Sequence, residues 1–139
     1  MSRNNYSIKG VIFDLDNTLL DFMKMKEVAV RAAVKGMIEA GLEINEDKSY
    51  QDIISIYEKF GWENQKVFDV FLEQCIGVVD NKYLAAGIVA YRRAREANLL
   101  AYPNVNRTLM ALAKYSIKLA VVSDAPSREA WMRLYYLNL

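Results

Sequence analysis

A chain of 139 residues with a 53% hydrophobic share has the material for one ordinary core, and its 25% charged share is that of a soluble domain. A formal net charge of +1 excludes a strongly basic surface, so nucleic acid is not expected as a main partner. No apolar run reaches the ~18 residues that a membrane span needs, and the absence of histidine excludes imidazole triads and His-ligated zinc.

The start, MSRNNYSIKG, lacks the apolar core of a secretory signal. Residues 7–14 are rich in β-branched and aromatic side chains and read as a strand. Val11, Ile12 and Phe13 form an unbroken apolar run, which predicts a parallel sheet covered on both faces. From about residue 22 the period becomes helical, with Val28, Ala29, Ala32, Ala33, Met37 and Ile38 at spacings of three and four and Gly41 as a stop. A second helix is predicted after Ser49, with Ser49 and Asp52 as a variant capping box and Gly61 at its end. A third runs from about 63 to 76 and ends at Gly77. Its Cys75 reads as a small buried hydrophobe, and a single cysteine fits a reducing, cytoplasmic setting. A fourth helix begins after Asp80 and carries Leu84, Ile88 and Tyr91 on one face, with the tyrosines at 83, 91, 135 and 136 expected to serve packing. Four such helices with short connections predict a small antiparallel bundle.

Pro103 breaks the pattern at a position suited to the first turn of a new helix, which shows Val105, Leu109 and Leu112 on one face. Residues 116–124, SIKLAVVSD, read as a second strand, and APSREAWMRLYYLNL as a closing helix with Glu129 in its first turn. Removing the helical insertion leaves strand, helix, strand, helix: an α/β fold with a partial doubly wound parallel sheet. The expected division is a core of residues 1–20 and 100–139 and a cap of residues 21–99. Two strands make a poor sheet, so the chain reads as the front part of a longer protein whose unfinished sheet edge could support a homo-oligomer.

Chemistry is expected where the strands end. Asp14 and Ser123 close the two predicted strands, on the side where open parallel sheets bind ligands. If the backbone stays extended through Leu15, Asp16 points to the same side as Asp14. One acid of such a pair can act as an ionised nucleophile while the other exchanges a proton. The hard oxygens suit Mg²⁺, held by Asp14 and Asp16 together with substrate phosphate and water. An EF-hand loop starting at Asp14 is excluded, because its sixth and twelfth positions hold Leu19 and Met25 instead of Gly and Glu.

The segment VIFDLDNTLLD resembles the first motif of the haloacid dehalogenase-like (HAD) hydrolase superfamily, an apolar strand followed by Asp-x-Asp-x-Thr. IKLAVVSDAP resembles the second motif, and AYPNVNRTLMAL resembles the helix that returns from a helical cap. DLDNTL and SDAP look most like small-molecule phosphatases of the sugar-phosphate or N-acylneuraminate-phosphate type. By position, the resemblance implies Asp14 as the nucleophile that forms an aspartyl-phosphate. It implies Asp16 as acid/base with its backbone carbonyl on Mg²⁺, Thr18 as the residue that positions the loop, Asn17 as a loop-lining residue and Ser123 as the phosphoryl-binding hydroxyl. The substrate would be a small phosphorylated metabolite, with the helical insertion as a lid over the site.

The family's third-motif lysine and fourth-motif acids have no counterpart in these 139 residues. The resemblance therefore implies weak or absent turnover by this chain alone. The alternatives are a phosphomutase, which returns the phosphoryl group to substrate, and a non-catalytic module that keeps the fold without a complete site.

Overall fold

Gly10–Phe13 form β1, and Lys118–Val121 form β2, paired in parallel with Gly10 opposite Lys118 and Phe13 opposite Val121. The computed structural model describes residues 5–139, so the first four residues of the expected core range lie outside the described residues. Both strands are shorter than the runs 7–14 and 116–124. Backbone bonds nevertheless continue the register one step each way, from Lys118 N to Lys9 O and from Val122 N to Phe13 O, each 2.9 Å. The helices are α1 (Phe22–Glu39), α2 (Glu46–Phe60), α3 (Val67–Ile76), α4 (Asn81–Asn98), α5 (Val105–Lys114) and α6 (Ser127–Leu137). The fold is thus α/β, a parallel strand pair of doubly wound type with an inserted four-helix cap.

The chain divides into two compact units, one running to Phe22 and resuming at Leu99–Leu139, the other Met23–Asn98. In the first, the strands are not covered on both faces as their apolarity suggested. All four residues of β2 are exposed, and Ile12 of β1 is 70% exposed. A two-stranded sheet has too few neighbours to shield either face. Burial concentrates instead in the segment after β1, where Leu15 and Leu20 are fully buried. Each contributes about 1.5–3 kcal/mol. α5 begins at Val105, later than a first-turn Pro103 would place it; Asn104 precedes it in the left-handed region at φ 67°. On α6, Arg133 and Leu137 face inward one turn apart, whereas Tyr135 and Tyr136 are exposed rather than part of a buried core.

In the second unit, Ala29, Val30, Ala33, Val34 and Met37 of α1 form a fully buried stripe against Ile53, Phe71, Leu72 and other side chains of α2–α4. Helices α1 and α4 come unusually close at Gly36, where a Cβ would lie 2.9 Å from Ala90 Cβ and 3.0 Å from Ala86 O. α2 starts earlier than Ser49. Asn45 is its cap, accepting from Lys48 N at 2.9 Å, and Ser49 is buried in the next turn. The carboxamide reaches the orphan donors of the first turn, a task that a serine already inside the helix cannot perform. α3 begins at Val67 rather than 63, and its cap Gly77 takes the left-handed conformation at φ 77°. Cys75 is exposed, not a buried hydrophobe.

A cation sits inside this unit. Lys26, 5% exposed, donates from Nζ to Tyr91 Oη at 2.7 Å and lies 4.1 Å from the centre of the Tyr57 ring. Burial foremost, then the charge and hydroxyl of Tyr91, push the Tyr57 phenol far above its ordinary range. The ammonium therefore faces neutral rings, whose π-faces partly replace its lost hydration. Among the described residues no helix is long and apolar enough to cross a membrane.

Candidate active site

Asp14 directly follows β1, and Ser123 lies two residues beyond the end of β2, so the parallel register brings both to one sheet edge. Asp14 is exposed, and its Oδ2 accepts a hydrogen bond from Thr18 Oγ1 at 3.2 Å. Ser123 is half-buried; its Oγ accepts from Ala125 N at 3.1 Å, which folds the turn into α6. A hydroxyl that accepts this bond still holds its own proton to donate elsewhere.

The loop after Asp14 is held by its own backbone. Leu15 O accepts from Thr18 N and Leu19 N at 3.3 and 2.9 Å, and Asn17 N donates to Leu20 O at 2.8 Å. Tyr102 N donates to Leu19 O at 2.9 Å, and Leu20 bridges Ala101, so the returning chain braces the far side. Asn17 is exposed and left-handed at φ 59°. Asparagine tolerates this conformation better than other non-glycine residues because its short side chain can bond locally. This turn follows both acids and sends the chain back toward Leu20.

Asp16 meets a different environment from Asp14. Its Oδ2 accepts from Arg133 Nη1 of α6 at 2.7 Å; the two side chains are 23% and 9% exposed. The guanidinium lies 4.9 Å from the centre of the Phe22 ring. Asp14 is thus bonded by a neutral hydroxyl of its own loop and Asp16 by a cation from a distant helix. Sequence reading missed Arg133. The available signal was its spacing four residues before Leu137, on the same inward stripe of α6.

Among the described residues no group of three or more His, Cys, Asp or Glu side chains is assembled for a metal. The donors at this edge are the exposed Asp14 carboxylate and the Asp16 segment, hard oxygens that suit a cation keeping several waters. A cleft of about 510 Å³ opens beside β2, lined by Phe13, Leu119, Ser123, Trp131 and other uncharged residues. Its walls carry no charge and offer a phosphate only the hydroxyls of Ser123 and Ser127, so the charged chemistry points to the Asp14 edge, which Ser123 also borders.

Comparison with known proteins agrees with this architecture. A family profile of haloacid dehalogenase-like hydrolases matches residues 8–139. The chain is 36% identical over 132 residues to a glyceraldehyde 3-phosphate phosphatase of Methanocaldococcus jannaschii, covering 95% of this chain and 58% of that protein. It is 32% identical over 135 residues to a phosphoglycolate phosphatase of Aquifex aeolicus, covering 95% and 56%. It therefore spans a little over half the length of these relatives. Among solved structures, a candidate β-phosphoglucomutase of Thermotoga maritima superposes with a TM-score of 0.68 at 24% identity, covering 95% of this chain and 57% of that one. A HAD family hydrolase of Deinococcus radiodurans gives 0.56 at 19% identity, covering 95% and 53%. The chain belongs to the haloacid dehalogenase-like hydrolase family.

Proposed function

We propose that this chain supplies the nucleophile-bearing part of an Mg²⁺-assisted phosphatase that acts on a small phosphorylated metabolite through an aspartyl-phosphate at Asp14. The observation that carries this reading is the exposed Asp14 carboxylate at the C-terminal end of a parallel strand, with the Thr18 hydroxyl on one of its oxygens. Thr18 donates to Oδ2, which leaves Oδ1 to attack phosphorus. The bond from phosphorus to the ester oxygen breaks, and the leaving oxygen takes a proton from the Asp16 carboxyl. In the second half, the Asp16 carboxylate takes a proton from water. The water oxygen attacks phosphorus, the bond to Asp14 breaks, and inorganic phosphate departs. Ser123, with its proton still free to donate, hydrogen-bonds a phosphoryl oxygen, and Asn17 lines the loop.

Asp14 through its carboxylate and Asp16 through its backbone carbonyl would hold Mg²⁺, which when bound supplies positive charge against the phosphoryl oxygens. One carboxylate and one carbonyl oxygen, with water and phosphate, match the coordination this ion accepts. The names of the relatives make glyceraldehyde 3-phosphate the first substrate to test, followed by phosphoglycolate.

The test uses the complete gene product with each ester and with a generic aryl phosphate, in the presence and absence of Mg²⁺. Asp14→Asn is expected to lose at least about a thousandfold in kcat, the scale on which removal of a nucleophile acts, and chelation of the metal to abolish turnover. Asp14→Asn at native turnover would refute the nucleophile assignment. Release of phosphate to solvent, rather than its return to a second position of the substrate, separates hydrolysis from mutase chemistry.

A further inference from the structure

We propose that a site for a small amino compound of net positive charge, of the basic amino acid type, lies in the helical unit between the start of α2 and the end of α3. A cavity of about 380 Å³ opens there, lined by Glu43, Lys48, Ser49, Asp52, Phe71 and Cys75 among others. That volume suits a small metabolite, at the lower end of the range for ligand pockets. All of these residues belong to the Met23–Asn98 unit, and the phosphatase reading plays no part in the assignment.

The Ser49 hydroxyl is what points to a ligand. Ser49 is 4% exposed, yet its side chain has no hydrogen-bond partner among the described residues. A serine inside a helix can settle this by bonding back to the carbonyl one turn earlier. Ser55 of the same helix does so, donating to Gln51 O at 3.0 Å. Ser49 instead lines the cavity. A buried hydroxyl without a partner is costly, and a ligand that bonds it removes the cost.

The surrounding charges set the class of ligand. In the first turn of α2, Glu46 and Asp47 are paired with Lys35 and Arg31 of α1. Glu43, Lys48 and Asp52 pair with no side chain among the described residues. The cavity thus offers two carboxylates and one ammonium that are not committed to one another. A molecule with two ammonium groups and one carboxylate, such as L-lysine or L-ornithine, carries the complementary set. Its methylene stem would lie against Phe71, which is 2% exposed, and Ser49 would bond one of its polar ends.

The experiment titrates the complete gene product with L-lysine and L-ornithine by calorimetry, with L-glutamate and L-norleucine as controls of wrong and missing charge. Cys75 is exposed and lines the same cavity. Its alkylation by iodoacetamide, followed by mass spectrometry of the Cys75 peptide, therefore gives a second readout. At least one of the two basic amino acids is expected to bind saturably at millimolar concentration and to slow that alkylation severalfold. Asp52→Asn should weaken binding about tenfold and Ser49→Ala about fivefold, the scale of a charged and a neutral hydrogen bond. Ser49→Ala should do so without lowering Tm, because the hydroxyl loses no protein partner. A fall in Tm at unchanged affinity would assign Ser49 to stability alone and overturn the inference. Failure of both basic amino acids to bind, equal binding of L-glutamate, affinity unchanged in either variant, or binding that leaves Cys75 alkylation unaltered would overturn it as well.

Discussion

Replacing Gly36 by alanine sets two opposed effects against each other, and the geometry decides which wins. Alanine in a helix interior is favoured over glycine by about 0.8–1.0 kcal/mol. At Gly36, however, the new Cβ would lie 2.9 Å from Ala90 Cβ and 3.0 Å from Ala86 O. Carbon atoms prefer roughly 3.5–4.0 Å. Neither neighbour is the end of a flexible side chain, so α1 and α4 must separate by about half an ångström or more to restore that spacing. The adjacent Met37 is fully buried, and its terminal methyl already occupies the space where a Cβ on Gly87 of α4 would stand. The strain cannot be relieved by turning the helix. Overpacking of a core typically costs about 1–3 kcal/mol. The expected balance is a loss of about 1 kcal/mol, read as a fall in Tm of roughly 3–5 °C for a domain of this size. Thermal and urea melts followed by circular dichroism measure it. Ala90→Gly in the Gly36→Ala background should be less damaging than the sum of the single changes, because it removes one of the two collisions. A rise in Tm for Gly36→Ala by the full propensity value would refute the close approach of these helices.

The remaining predictions concern the phenol, the loop and the cap. Burial raises the Tyr57 phenol above its ordinary value of 10.0, so the unfolded chain releases this proton first as pH rises. Stability from this residue is complete below pH 10 and declines above it, with a slope of up to about 1.4 kcal/mol per pH unit. Urea melts between pH 9 and 11 should show a steeper decline in the native protein than in Tyr57→Phe; equal declines would exclude the buried phenol as the cause. Thr18→Val removes the donor on Asp14 Oδ2 and is expected to lower kcat of the complete gene product about tenfold, the effect of roughly 1.4 kcal/mol in the transition state. Unchanged kcat would show that this hydrogen bond does not orient the nucleophile. Asn45→Ala removes the side-chain cap of α2 and should cost about 1 kcal/mol in a urea melt, whereas a value near zero would return the helix start to Ser49.

Element type was legible from the order of residues because it depends on periods and chain breakers within a few positions. The spacing of Ala29, Ala33 and Met37 forms the inner face of α1, and Gly61 and Gly77 close α2 and α3. Boundaries were less legible. Asn45 and Ser49 are both competent caps, and the choice depends on which one the packing leaves outside the helix. Exposure of the strands was not legible at all. Unbroken apolarity states what a strand can bury, while the number of neighbouring strands decides what it does bury.

The candidate site divides along the same line. The acids at 14 and 16, the hydroxyl at 18 and the serine at 123 are local features, and their spacing within two short segments was sufficient to nominate them. The unlike surroundings of the two carboxylates and the contact of Asp16 with Arg133 arise only when α6 packs beside the first loop, whereas the left-handed turn at Asn17 is held by the backbone of the loop itself. Helical and extended periods are written over a few consecutive residues. The meeting of positions 16 and 133 depends on the whole path between them, and only the folded chain decides it.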